Sequence, residues 1–155
     1  HQNLNEKQKI IFDRIEKHYN DTISGLQVDA LRILIMGTAG TGKSYLIKAI
    51  RGRLRAISGH GSKSPIIVIA PTGVAAFNIN GATIHSTLFI PIMNSKNLNL
   101  NGIRLKQLQE RLQDVNYIII DKKSMVGQRM LSKIDMRLRQ VFPKRRTNLL
   151  EDVPL

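Results

Sequence analysis

The chain has 155 residues, 42% hydrophobic and 23% charged, the length and make-up of one globular domain with a buried core. Without a cysteine it can build neither a disulfide framework nor a thiolate zinc site. Its 24 Lys and Arg against 11 Asp and Glu leave a net +13, which attracts polyanions. Nucleic acid is the first such partner to consider, an anionic membrane surface the second, and a basic face with no dedicated partner the third.

The longest apolar runs, Ile66 to Pro71 and Tyr117 to Ile120, are far too short to cross a bilayer. No charged segment followed by an apolar one marks a secretory leader. The chain opens on His1 rather than Met, which reads as a fragment or an incomplete gene model.

In chain order, residues 5 to 19 predict a helix, with Ile11, Phe12 and Ile15 on one face and Asn5 as N-cap. Asp21 to Asp29 is a polar connector around Gly25. Leu31 to Met36 predicts a short buried strand. Lys43 to Ile57 predicts a helix with Leu46, Ile47, Ile50 and Leu54 inward. Gly59 to Ser64 is a loop, and Pro65 to Ala70 a second buried strand. A short helix begins at Thr72 to Phe77, with a turn at Asn78 to Gly81. After the loop Asn94 to Gly102 come a helix from Arg104 to Gln113, a third strand from Val115 to Ile120, and a helix from Gln128 to Phe142. In the last, Met130, Ile134 and Leu138 share a face. Continuous apolar strands alternating with helices predict an α/β fold, a parallel sheet covered by helices on both faces.

Gly37-Thr38-Ala39-Gly40-Thr41-Gly42-Lys43-Ser44 fits the phosphate-loop pattern at every fixed position, between a predicted strand and a predicted helix. The glycines let backbone N–H groups turn toward phosphates, and the helix N-terminus adds partial positive charge. Lys43 would then neutralise the β- and γ-phosphates of ATP while the Ser44 hydroxyl ligates Mg²⁺. Such a site needs a carboxylate at a neighbouring strand end, and Asp121 closes the run Val115 to Ile120. Asp121 reads either as that metal partner or as an aspartate capping a turn or helix start. In hydrolysing enzymes of this kind a Glu follows the Asp and polarises the attacking water. Here Lys122 follows, and a cation is neither a base near neutral pH nor a good neighbour for Mg²⁺.

Taken together, these segments resemble the Pif family of superfamily-one DNA helicases, which move 5′ to 3′. The phosphate loop is close to that family's first motif. Ala70-Pro71-Thr72-Gly73-Val74-Ala75-Ala76 looks like its next, and Gly81-Ala82-Thr83-Ile84-His85-Ser86 like the segment after it. Asp121-Lys122-Lys123-Ser124-Met125-Val126 is similar to the family's Asp-Glu-x-Ser-Met, with Lys122 where Glu belongs. Leu4-Asn5-Glu6-Lys7-Gln8 is similar to the segment whose Gln reads adenine. The resemblance spans residues 4 to 143.

It implies a RecA-like P-loop domain using ATP and Mg²⁺, with Lys43 and Asp121 catalytic and Ser44 and Asp121 on the metal. Gln8 would read the adenine edge, although Asn5-x-x-Gln8 is also a capping box. Thr72, Gly73, His85 and Ser86 would line the path of single-stranded DNA. Thr72 also suits a helix cap, and His85 a structural histidine. Phe89 either stacks on a base or packs in the core. Lys48, Arg51 and Arg55 share a helix face that is either solvated or DNA-facing. The implied settings are DNA repair, recombination and telomere maintenance, in the nucleus or mitochondrion.

Beyond Phe142-Pro143 the likeness stops. One back-translation of Arg146 to Leu155, read from its third base, encodes Asn-Glu-Pro-Phe-Gly-Gly-Arg-Ser-Val, the family's own continuation. The expectation is a frameshift near residues 143 to 146. The family strand beyond it, which lies between the phosphate-loop strand and the Asp121 strand, would then be missing, as would the γ-phosphate sensor and the second RecA-like domain. The chain divides into residues 1–30 (N-terminal helix and connector), 31–143 (partial ATP-binding domain) and 144–155 (aberrant tail). The expected function is that of a helicase fragment that binds ATP·Mg²⁺ and single-stranded DNA with little turnover. The alternatives are a binding-only remnant and a different small P-loop NTPase or kinase. The guanine-reading Asn-Lys-x-Asp of a GTPase and the Arg-rich lid of a kinase are both missing from the sequence.

Overall fold

Asn5 starts the first helix as its spacing predicts. The Asn5 side chain accepts from the Gln8 N–H at 2.9 Å, and the Asn5 N–H donates to the Gln8 side-chain oxygen at 3.1 Å. Two of the helix's orphan donors are thereby satisfied. In the computed structural model, which describes residues 3–59, 61–93 and 97–143, this helix α1 runs Glu6–Ile23, past the predicted end. Its buried stripe is Ile15 and Tyr19, and the chain leaves through Gly25 at φ +78°, a backbone state that glycine reaches without strain. The chain forms two units, divided after Ile66.

The first unit holds α1, the phosphate loop and helix α2, Lys43–Ser58. α2 buries Leu46, Ile47, Ala49, Ile50 and Leu54, the stripe its periodicity predicts. An ion pair joins the two helices, Arg53 Nη2 to Glu16 Oε1 at 2.6 Å. As a half-exposed pair it contributes roughly 0–1 kcal/mol.

The predicted strand Leu31–Met36 does not form. These residues carry no strand pairing, yet they keep the two-residue alternation of an extended chain, with Leu31, Ile33 and Ile35 half-buried and Arg32, Leu34 and Met36 exposed. A strand is defined by its ladder, so apolar periodicity without a paired neighbour leaves only an extended run.

The second unit carries the sheet. Strands β1 (Ile66–Ala70), β2 (Ala82–Thr83) and β3 (Tyr117–Ile120) lie in the order β2-β1-β3. β1 and β2 are parallel, with Ile69 opposite Ala82 and Ala70 opposite Thr83. On the other side of β1, the Asp121 N–H donates to the Ile69 carbonyl at 2.9 Å. β1 is nearly all buried, while every residue of edge strand β3 is half-buried. β2 escapes sequence reading, because two residues are too few to show a period.

Four helices complete this unit: α3 (Gly73–Asn78), α4 (Ile84–Leu88), α5 (Gly102–Leu112) and α6 (Gln128–Val141). α4 lies outside the predicted elements, and the other three fall within two residues of their predicted starts. Ile69, Ile84, Leu88, Leu108, Leu112, Ile134 and Leu138 form the heart of one apolar cluster. Gln109 on α5 donates to the Val141 carbonyl at 3.3 Å, and Gln140 bonds both backbone groups of Leu100, at 3.3 and 3.4 Å. The tail from residue 144 onward, where the frameshift is expected, lies outside the described residues.

Gly81 lets β2 approach β1. A Cβ there would run into the backbone carbonyl of Val68, which cannot move without disturbing the strand. Gly81→Ala is therefore expected to destabilise the chain by about 1–3 kcal/mol, the cost of overpacking a fixed neighbour. Urea unfolding followed by circular dichroism measures this, and an unchanged midpoint would show that the two strands can part freely.

Candidate functional site

The phosphate loop is exposed from Gly37 to Thr41 and enters α2 at Lys43. Gly40 and Gly42 sit at φ +82° and +77°, in the left-handed region that a side chain would strain. Gly42 is the N-cap of α2 and offers no side chain, so the helix's first N–H groups receive no side-chain cap. Such uncapped donors are what an anion at a helix N-terminus uses.

The Lys43 ammonium folds back over the loop, donating to the carbonyls of Gly37 and Thr38, both at 2.6 Å, and to the Thr41 hydroxyl at 3.2 Å. A Cβ on Gly37 would meet at 2.8 Å the Thr41 hydroxyl, one of the acceptors of that ammonium. The loop therefore forms a cradle whose positive centre is held by weak, exchangeable acceptors. These residues fit a nucleotide's phosphates. The Ser44 hydroxyl is exposed and makes no hydrogen bond among the described residues, as suits a Mg²⁺ ligand.

Gln8 does two things at once. While capping α1, it donates its side-chain amide to the carbonyls of Thr41 at 3.1 Å and Gly42 at 3.4 Å. Its oxygen and nitrogen are fixed by these partners, a backbone N–H on one side and carbonyls on the other. The capping reading is correct, and the same side chain touches the phosphate loop.

In the second unit, the parallel strands end on a common edge. β1 leads into Thr72 and Gly73, and β3 into Asp121. Ligands of open α/β sheets bind outside this carboxyl edge. Asp121 is 8% exposed, and its carboxylate makes no hydrogen bond or ion pair among the described residues. Its oxygens still reach solvent, so they are open to a cation carrying its own water.

Lys122 is exposed and sits at φ +56°, ψ +41°, starting a single 3₁₀ turn from Lys123 to Met125. That left-handed state costs a non-glycine residue about 1–2 kcal/mol.

Thr72 caps α3, its hydroxyl accepting from the Ala75 N–H at 3.3 Å. Gly73 is exposed with open space where a Cβ would project. The His85 ring is tied through Nδ1 to the Ile90 carbonyl at 3.0 Å, a local structural role. The Ser86 hydroxyl pairs with that of Thr83, the α4 cap, at 2.8 Å. Phe89 packs against the apolar cluster, and two arginines that no sequence motif singles out, Arg104 and Arg111, lie over its ring. Their helical spacing was the only available signal, and a solvated helix face gives the same one. In α2, burial and then neighbouring Arg55 hold the Arg51 guanidinium below its usual value, while Arg55 bonds the Ser64 hydroxyl at 3.2 Å.

The PIF1-like helicase family model matches residues 3–151. The chain belongs to the PIF1-like helicase family. It is 34% identical over 118 residues to the ATP-dependent DNA helicase PIF4 of Trypanosoma brucei brucei, covering 74% of this chain and 14% of that protein. It is 34% identical to the ATP-dependent DNA helicase Pif1 of a Psychrobacter species, covering 70% of this chain and 16% of that one. The crystal structure of Pif1 helicase from Candida albicans superposes with a TM-score of 0.67 at 30% identity, over 94% of this chain and 29% of that one. That of Pif1 from Bacteroides with ADP-AlF3 and single-stranded DNA gives 0.59 at 30% identity, over 82% and 28%. The fold is thus that of the RecA-like P-loop domains of PIF1-like helicases. This PIF1-like chain spans about a seventh of the length of those curated relatives. No helix among its described residues is long and apolar enough to cross a membrane.

Proposed function

We propose that this chain binds ATP with Mg²⁺ through its phosphate loop, binds single-stranded DNA, and turns ATP over slowly. The observation carrying this is the cradle from Gly37 to Ser44, with left-handed glycines, an uncapped helix start and a lysine on exchangeable acceptors. Bound Mg²⁺ neutralises phosphate charge in such sites. Ser44 would ligate it from the loop, Asp121 is the carboxylate that the resemblance assigns to the metal, Lys43 would meet the β- and γ-phosphates, and backbone N–H groups of the loop would orient the chain of phosphates. Gln8, which already touches the loop, would accept and donate to the adenine edge. Thr72 and Gly73 would approach a DNA phosphate, where a hydroxyl and bare backbone permit close contact. His85 and Ser86 would lie along that path, each also holding a local contact.

Lys122 supports slow turnover, because no carboxylate follows Asp121 to orient water. In a full-length helicase, the same domain would serve ATP-dependent DNA unwinding, moving 5′ to 3′ as the resemblance implies; its relatives are named ATP-dependent DNA helicases. Titrating the whole chain with ATP and GTP in Mg²⁺, by calorimetry, tests the reading. Saturable binding with ATP preferred is expected. Equal affinity for both nucleotides would remove the adenine role of Gln8, and no binding at all would sink the proposal.

A further inference from the structure

Three arginines converge on one aromatic residue. Arg104 and Arg111, two turns apart on α5, place their guanidinium carbons 5.2 and 5.0 Å from the centroid of the Phe89 ring. Arg137, from α6, donates to the Phe89 carbonyl at 3.1 Å and to the Gln140 side-chain oxygen at 2.7 Å. Arg137 is only 3% exposed, and its Nε is buried with no hydrogen-bond partner. None of the three pairs with a carboxylate among the described residues.

A cluster of this kind is unfavourable by itself. Burial, and then the nearby charge of Arg104, push the Arg137 guanidinium below its usual value. Buried charges are ordinarily paired, and an unsatisfied buried N–H needs an explanation.

Part of the arrangement is structural. Arg137 pins the Phe89 carbonyl where the chain turns through a left-handed residue, φ +53°, at the end of α4. Phe89 in turn offers its ring face to cations, each contact contributing about 0.5–1 kcal/mol at an exposed site. That accounts for the Nη contacts of Arg137. Arg111 also donates to the Ser86 carbonyl at 3.3 Å, but these contacts do not account for two more exposed cations gathered without an acid. An anion is the missing component. Guanidinium groups present paired N–H donors to the oxygens of a phosphate.

We propose that Arg104 and Arg111, lying over the Phe89 ring and backed by Arg137, form a phosphate-binding site for the backbone of single-stranded DNA. The site adds a second point of attachment to Thr72 and Gly73, and it rests on the reading of this chain as DNA-binding. A polyanion rather than a small anion suits a chain of net charge +13.

Fluorescence anisotropy of a labelled oligothymidylate, titrated with the whole chain at several salt concentrations, tests this. Arg104 and Arg111 are exposed, so Arg104→Ala/Arg111→Ala should fold, as a thermal melt checks. The double variant is expected to bind about tenfold more weakly. Its salt dependence should flatten by about 1.4 in slope, as for two lost phosphate contacts on a single strand. The double lysine variant should recover the slope but only part of the affinity, because ammonium keeps the charge and loses the paired donors. Arg129→Ala, at an exposed position outside the cluster, is the control for charge alone. If the double alanine variant loses no more than twice the control's effect, with its slope unchanged beyond that of two generic charges, the site is refuted while DNA binding stands. If the wild-type chain binds no oligonucleotide even at low salt, the DNA reading fails and this inference with it.

Discussion

Replacing Lys43 by alanine is expected to weaken ATP binding by about 30- to 1,000-fold, or about 2–4 kcal/mol, the range for truncating one partner of a close charged pair. The lysine is the one side-chain cation fixed within the loop. Its three present contacts are to two carbonyls and a hydroxyl, all of them neutral. Exchanging those acceptors for phosphate oxygens replaces neutral hydrogen bonds with charge-assisted ones, which are roughly twice as strong. Folding should hardly notice the substitution, because these contacts are exposed and local. Calorimetric titration with ATP·Mg²⁺ measures the loss, and a thermal melt checks the fold. A loss below threefold would mean that the backbone N–H groups hold the phosphates alone and that the ammonium is a bystander.

How far the sequence could be read depends on the range over which each signal acts. Asn5 and Gln8 were legible because a capping box is local, set by residues three apart. The phosphate loop was legible because its glycines answer to backbone geometry, and Gly40 and Gly42 occupy the positive φ that their type allows. The inward face of α2 followed from periodicity, as did Ile134 and Leu138 of α6, whereas the buried Asp135 and Arg137 of α6 carry no apolar signal. Leu31–Met36 misled because pairing is not local. The run has a strand's pattern, but β3 ends the described sheet and the run carries no ladder.

The double role of Gln8 and the clustering of Arg104, Arg111 and Arg137 needed coordinates. Each brings together residues far apart in the chain, and no spacing rule encodes that. His85 shows the converse. Its motif implies a DNA contact, and one of its two ring nitrogens is in addition tied locally, to the Ile90 carbonyl five residues away.

Lys122→Glu is expected to raise DNA-stimulated ATP hydrolysis by about 100-fold, the lower end of what a positioned general base contributes. The residue lies directly after Asp121, whose buried carboxylate suits a cation, and it adds a positive charge on the solvent-exposed side of that neighbourhood. Two effects would combine on substitution. Removing the ammonium relieves repulsion of Mg²⁺, and adding the carboxylate supplies an acceptor for the attacking water's proton. Lys122→Gln separates them, since it removes the charge without adding a base. A phosphate-release assay with and without single-stranded DNA should show a small gain for Gln and a large one for Glu. The backbone state at φ +56° is shared by all three variants, so its strain cancels in the comparison. If Glu and Gln behave alike, position 122 acts through charge alone and the base comes from elsewhere. If wild-type turnover is already brisk, the lysine never impaired the site, and the slow-turnover reading falls.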